Sequence, residues 1–147
     1  MHRLLLPLLL LVPGIALGAR WTGPEVAGLV TDEAMDEISG LAASRTYPGR
    51  YWAMNDSGNH LALHLMDERG QREGSVAVQG ACNVDWDDLA SFELEGRHYV
   101  LASDTGDNGG IRQDIVLYAV REPDPAAPPG PLPLAWSLHV RWPDGPR

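Results

Sequence analysis

Carboxylate and amide side chains, the oxygen ligands that Ca²⁺ prefers, are concentrated in three short segments of the 147-residue chain. The segments are Asn55 to Asn59, Asn83 to Asp88 and Asp104 to Asn108. Because Ca²⁺ takes roughly six to eight oxygens, turns from neighbouring strands can supply one site together. We therefore predict metal ligands at Asp56, Asp85, Asp87, Asp88, Asp104, Asp107 and Asn108. Turn chemistry is the alternative, since Asp and Asn also accept backbone hydrogen bonds in turns that hold no metal.

The residues for several other kinds of chemistry are missing or wrongly spaced. The segment from Asp104 to Ile115 is not an EF-hand loop, because its last position is isoleucine rather than glutamate. His60 and His64 fall on a predicted strand, where four residues span about 13 Å, so the two imidazoles cannot share one zinc ion. The chain has no Gly-x-Ser-x-Gly motif, which argues against an α/β-hydrolase.

The chain is strongly acidic, with 11 arginines, no lysine, 20 aspartates plus glutamates and a formal net charge of -9. A nucleic-acid binder presents a basic face to phosphates, so this charge argues against nucleic acid as a partner. Cys82 is the sole cysteine, which excludes an intrachain disulfide framework and a cysteine-based zinc cluster. We expect Cys82 to be buried as a small apolar residue beside Trp86. We also expect Trp52, Trp86 and Trp136 to pack in the core or between sheets.

The N-terminus has the pattern of a secretory signal peptide. Arg3 is followed by the apolar run Leu4 to Val12, a break at Pro13-Gly14, and the small residues Ala16 to Gly18. A membrane anchor is the alternative, but the uncharged stretch is shorter than the roughly 20 residues that a spanning helix needs. We predict that residues 1–18 are cleaved and that the chain is exported to the periplasm or the extracellular space. After cleavage we expect no stable insertion in a membrane.

The sequence repeats itself at an offset of 48 residues. The aligned pairs are Ile38–Ser44 with Trp86–Phe92, Tyr51 with Tyr99, and Asp56 with Asp104. A six-residue insertion near Asn108 then moves the offset to 54, where Leu61–His64 aligns with Ile115–Tyr118. Each copy thus has a Leu-Ala strand, a Tyr strand that ends in Asp-Ser/Thr-Gly, and an alternating third strand.

Side chains within these segments alternate with the period of strands, and no segment has a convincing helical period. Four short strands repeated about every 40 to 50 residues are typical of β-propeller blades. We therefore predict an all-β fold: a partial β-propeller with about two four-stranded antiparallel blades. A β-sandwich and an unrelated small barrel are the alternatives.

The repeat also predicts the organisation of the chain. The expected units are a signal peptide (1–18), an N-terminal segment (19–37) with a candidate ring-closing strand at 26–30, a first blade (38–82), a second blade (83–142) with a proline-rich loop (123–133), and a truncated blade boundary (143–147). Propellers have about four to eight blades, so two blades predict either a fragment or an assembly that closes through several copies. Open blade edges then predict self-association.

Four motifs resemble those of exported bacterial six-bladed β-propeller proteins, which are mostly uncharacterised and lie near phytase-like and SMP-30/NHL-type propellers. The motifs are Glu37–Ala42, Trp52–Asn59, Asn83–Ala90 and Asp104–Asn108, so the resemblance covers about residues 36–147 and the N-terminal part of such a protein. The family usually carries glutamate where this chain has Asp87. Phytase-like enzymes use several acidic blades around Ca²⁺ to bind phosphate, and the resemblance therefore implies Ca²⁺ as a cofactor.

Two function classes follow from these observations. The first is a non-enzymatic binding or structural propeller module of the cell envelope that binds Ca²⁺. It is favoured because an enzyme of this type needs a complete ring. The second is a metal-dependent hydrolase of phosphate esters or lactones, in which the metal acts as a Lewis acid and activates water.

Overall fold

The computed structural model describes residues 23–56, 58, 61–124, 130–141 and 143, and this part of the chain is mostly β-structure. Its strands are β1 Ile38–Ala43, β2 Arg50–Asn55, β3 Ala62–Asp67, β4 Arg72–Gln79, β5 Trp86–Leu94, β6 Arg97–Asp104, β7 Ile115–Arg121, β8 Leu132–Pro133 and β9 Trp136–Val140. One 3-10 turn, Glu33–Met35, precedes them and is capped by Asp32, whose carboxylate accepts the Ala34 N–H at 2.9 Å. The all-β class is confirmed for the described residues. The predicted signal peptide (1–18) lies outside them, as does the predicted boundary segment apart from residue 143.

The strands form two sheets that follow one another along the chain. The first sheet has the order β1-β2-β3-β4-β8, and the second has the order β5-β6-β7-β9. Strands that are consecutive within each group of four pair antiparallel. Tight turns at Asp67–Gly70 and Glu95–Gly96 join β3 to β4 and β5 to β6. Within the described ranges, no helix is long and apolar enough to cross a membrane.

The two sheets repeat one another in register as well as in strand order. Ile38 of β1 pairs with Asn55 of β2, and Trp86 of β5 pairs with Asp104 of β6. In each case the register shifts immediately afterwards, an irregularity of the β-bulge kind at the same place in both sheets. The predicted offset of 48 is confirmed for β1 and β5, and the offset of 54 for β3 and β7.

For β2 and β6, however, the offset is 49, so the alignment of Asp56 with Asp104 was wrong by one residue. Asp104 lies 49 residues after Asn55, and these two residues, not Asp56 and Asp104, occupy equivalent positions. The stretch of chain between two paired residues is one residue longer in the β5–β6 hairpin than between the equivalent residues of β1 and β2. A shift of one residue turns every side chain to the opposite face of a strand, so the correction decides where each carboxylate points.

The main core consists of buried side chains from both sheets. Its members are Ala42, Trp52, Met54, Leu63, Leu65 and Val78 of the first sheet and Trp86, Leu89, Val100, Ala102, Val116, Tyr118 and Val120 of the second. Trp52 and Trp86 are each only 1% exposed, as predicted, whereas Trp136 is 38% exposed. Gly40 allows β1 to approach β5, because a Cβ there would lie 2.8 Å from the backbone nitrogen of Leu89.

The N-terminal segment lies beside the turn between β3 and β4. The strand predicted at 26–30 is not formed, which corrects that expectation. The Leu29 N–H donates to the Arg69 carbonyl at 3.1 Å. A turn offers isolated carbonyls rather than a strand edge, so no hydrogen-bond ladder develops there. A smaller buried cluster of Met35, Ala53 and Met66 lies on this side of the first sheet.

The end of the proline-rich loop reaches the first sheet. Residues 125–129 of this predicted loop lie outside the described residues, but Leu132–Pro133 forms β8 and pairs parallel to Val78–Gln79 of β4. Proline lacks an N–H and therefore suits an edge strand. The connection between β7 and β9 thus adds a short strand to the neighbouring sheet.

Candidate functional site

The predicted ligands lie at one end of the two sheets. Asp56 follows β2, Asp85 precedes β5, and Asp104 is the last residue of β6, which pairs with the start of β5. Ser39 Oγ donates to the Trp86 carbonyl at 2.7 Å and so ties the start of β1 to the start of β5. This end of the molecule is called the aspartate end below.

Asp85 is at the centre of the aspartate end. Burial raises the pKa of its carboxyl above the ordinary value, and the negative charges of Asp87 and Asp56 raise it further. A side-chain hydrogen bond between Asp85 and Asp56 acts in the same direction, whereas Arg112 partly offsets the rise. The charges of two neighbouring carboxyl groups thus act on Asp85 in the direction that disfavours its ionised form.

Backbone and amide contacts fix the segment that carries Asp85. Asn83 Nδ2 donates to the Asp56 carbonyl at 3.0 Å, and the Gly106 N–H donates to the Asp85 carbonyl at 3.1 Å. A Cβ at Gly106 would lie 2.2 Å from Cγ of Asp85, so only glycine lets the chain pass this close to the carboxylate. The backbone of the loop after β6 thus holds the Asp85 carboxylate in position.

Asp104 has a structural role in this arrangement. It is 1% exposed, and its carboxylate accepts hydrogen bonds from Arg112 Nη1 at 2.7 Å and from the Asp85 N–H at 3.0 Å. The Val84 N–H is a third donor at 3.4 Å. Arg112 Nη1 also donates to the Gly106 carbonyl at 2.9 Å. The predicted ligand oxygens of Asp104 are therefore occupied by protein donors.

Two further predicted ligands act as turn caps. The Asp107 carboxylate accepts the N–H groups of Ile111 and Arg112, both at 2.9 Å. The Asp88 carboxylate accepts the N–H of the following residue, Leu89, at 2.8 Å. These contacts are the turn chemistry that was the alternative to metal binding.

The remaining predicted ligands are brought together by the structure. Asp87 Oδ2 accepts Thr105 Oγ1 at 3.0 Å, and Asn108 Nδ2 lies 3.5 Å from Asp85 Oδ2. Asp56, Asp85, Asp87 and Asn108 thus form the reduced candidate set. In the part of the chain that the structure describes, no group of three or more His, Cys, Asp or Glu side chains has the arrangement of a metal cage.

Sequence reasoning missed a second carboxylate centre, at Glu122, just after β7. The Glu122 side chain is 1% exposed and lies where the ends of both sheets meet. Its carboxylate accepts hydrogen bonds from Ser44 Oγ at 2.5 Å, Arg45 N at 3.2 Å, Thr46 Oγ1 at 2.8 Å and Trp52 Nε1 at 2.9 Å. Burial alone would raise the pKa of Glu122, but the hydrogen bonds from Ser44, Trp52 and Thr46 outweigh it and lower the pKa. Four donors from the first sheet therefore bind one carboxylate of the second.

The sequence contained only a weak signal for this centre. An acidic residue at the end of the apolar strand β7 and polar residues after β1 are both visible, but they lie more than 70 residues apart and no spacing rule links them. The expectation for Cys82 was also wrong in part, because Cys82 is exposed. Trp86 does lie beside it, and its Nε1 donates to the Cys82 carbonyl at 2.9 Å. The bulky indole fills the core here and leaves the thiol outside.

Comparison of the chain with protein families, with curated proteins and with solved structures finds no match. The similarity to exported propeller proteins therefore remains a prediction that rests on the four sequence motifs.

Proposed function

We propose that the chain is an exported, non-enzymatic binding or structural module of the β-propeller type, and that its two sheets are consecutive blades. The observation that carries this proposal is the duplication of the antiparallel sheet. Strand order, pairing register and the irregularity after the first pair all recur. Independent folds rarely share so many local details, whereas blades of one propeller share them by construction.

We further propose that the aspartate end binds Ca²⁺ through Asp56, Asp85, Asp87 and Asn108. The raised pKa of Asp85 supports this, because neighbouring carboxylates make it costly to leave their negative charge without a cation. Arg112 contacts Asp104 and Asp107 and acts on Asp85, and the charges of Asp56 and Asp87 act on Asp85 as well. The guanidinium is already bound to Asp104, so a divalent cation would neutralise the remaining charge. Backbone carbonyls and water would complete the coordination.

Isothermal titration calorimetry with CaCl₂ on the full chain tests the cation site. We expect measurable binding that the substitution Asp85→Asn abolishes, because that carboxylate is central to the set. Asp88→Asn is the matched control, since its carboxylate only accepts the Leu89 N–H, and it should bind Ca²⁺ like the wild type. Absence of heat and of any rise in melting temperature with Ca²⁺ would reject the site.

A metal-dependent hydrolase is the second candidate function. A carboxyl group whose pKa is raised by burial and by neighbouring carboxylates is typical of acid–base sites, and Asp85 has this character. A bound metal would supply the Lewis acid that such a reaction needs. Turnover of a panel of phosphomonoesters and lactones that is lost in Asp87→Ala would favour the enzyme. Turnover that is equal in wild type and variant would come from a contaminant.

A further inference from the structure

The face of the second sheet that points away from the core carries apolar side chains on all four strands, with Asp88, Arg97, Ser103 and Arg121 among them. We name it the open face. Its apolar members are Ala90, Phe92, Leu94, Tyr99, Leu101, Ile115, Leu117, Ala119, Trp136, Leu138 and Val140. They alternate along their strands with the core residues, so they lie on the opposite side. Phe92 contacts Tyr99 and Trp136, with ring centroids 5.4 and 6.1 Å apart. Leu94, Trp136 and Leu138 are 47%, 38% and 51% exposed.

The duplication indicates what kind of surface fits the open face. Ala90, Leu117 and Ala119 of the open face are equivalent to Ala42, Leu63 and Leu65 of the first sheet. In the first sheet these equivalent residues belong to the core and pack against the neighbouring sheet. The same side of the repeated unit is therefore covered by a sheet in one copy and exposed in the other.

The opposite end of the two-sheet stack is also apolar and carries a cleft. Val26, Leu29, Val30 and Leu41 are 86%, 71%, 40% and 50% exposed there. A cleft of about 570 Å³ lies between the N-terminal segment and the outer side of the first sheet, and Met66 is among the residues that line it. Of the nine exposed large apolar residues that the structure describes, seven lie at these two ends of the stack.

We propose that the open face binds the cleft side of the first sheet in a second copy of this chain. The contact is head-to-tail, so repeated association produces a closed ring or an open chain of copies rather than a symmetric pair. The inference depends on the duplication of the sheets and not on cation binding, so either can fail without the other.

The contact between copies depends on apolar burial. Within the molecule the two sheets are also joined by Glu122, but its equivalent in the first sheet, Glu68, is exposed. Phe92 occupies the position equivalent to Ser44, so the open face has no hydroxyl donor at that position.

Size-exclusion chromatography with light scattering, over a wide range of concentrations of the full chain, tests the proposal. We expect the wild type to associate and the variants Leu138→Glu and Leu41→Glu each to be monomeric. A mixture of the two variants should form a one-to-one complex, because each retains the surface that the other lacks. Ile111→Glu is the matched control: Ile111 is 81% exposed in a loop at the aspartate end, and this variant should associate like the wild type.

Three results would overturn the proposal. A monomeric wild type at all concentrations would show that the open face binds no second copy. Continued association of Leu41→Glu would show a symmetric contact between two open faces. Loss of association in Ile111→Glu would place the contact elsewhere. Circular dichroism checks that each variant is folded, and Leu94→Glu replaces Leu138→Glu if the latter does not fold.

Discussion

Asp85 and Glu122 are carboxyl groups at opposite ends of the junction between the two sheets, and their pKa values move in opposite directions. Both groups lose solvent, which by itself raises the pKa of an acid. Around Glu122 the neighbours are neutral donors that stabilise the charged form, whereas around Asp85 they are other carboxylates. The chemistry of the neighbours, more than the extent of burial, therefore separates a structural carboxylate from a candidate binding group.

Removing the Glu122 carboxylate should lower the free energy of unfolding more than any change at Asp85. In Glu122→Ala the donors Ser44, Thr46 and the buried Trp52 lose their acceptor, and we expect the free energy of unfolding to fall by about 3 kcal/mol. Urea denaturation measures this change. Glu68→Ala is the matched control at the equivalent position of the first sheet, and it should change stability by less than about 0.5 kcal/mol. Equal losses in both variants would show that Glu122 does not join the sheets.

A glycine substitution at the other end should have an intermediate effect. The new methyl of Gly106→Ala would overlap Asp85, so the loop must shift, at a cost of about 1–3 kcal/mol and with weaker Ca²⁺ binding. At Gly109 a Cβ would lie 3.7 Å from Ile111 Cγ1, which is ordinary van der Waals contact. Gly109→Ala should therefore behave like the wild type in urea denaturation and calorimetry. Similar behaviour of the two variants would contradict the close approach at Asp85.

The pH dependence of stability should show the smallest of these effects. The pKa of Glu122 is lowered in the folded chain, so its stabilising contribution is complete above the unfolded pKa of about 4.3. The contribution is lost as the pH falls through the lower folded pKa. The difference in unfolding free energy between wild type and Glu122→Gln should therefore shrink below about pH 4. A difference for Glu122→Gln that stayed constant with pH would contradict the assignment.

The fold was predictable from the sequence in its local parts. Alternating apolar residues and turn residues placed the strands to within a few residues, and the offset of 48 identified the duplicated unit at β1 and β5. The candidate site was predicted less completely. Side-chain type identified seven ligands, but Asp104, Asp107 and Asp88 accept hydrogen bonds from the protein itself. Residue type shows which side chains can bind a metal. It does not show which of these side chains already accept hydrogen bonds from other parts of the protein.

Asn55 shows how one residue of register changes the chemistry of a position. It is equivalent to Asp104, yet its Nδ2 donates to the Ala34 carbonyl at 3.1 Å, and in the described chain its buried Oδ1 has no partner. Asp104 instead accepts from Arg112 and from the N–H groups before β5. The two sheets share their strand order and much of their register, but different segments of the chain contact the end of β2 and the end of β6.

The sequence by itself determined the strands, their turns and the existence of two related sheets, because these depend on contacts between residues that are close along the chain. Tertiary structure alone decided the offset of 49 between β2 and β6, the burial of Asp104 against Arg112 and the attachment of Glu122 to Ser44 and Trp52. Hydrogen bonds of the last kind join residues far apart in sequence. Their partners are selected by how two sheets pack, and no local pattern encodes that choice.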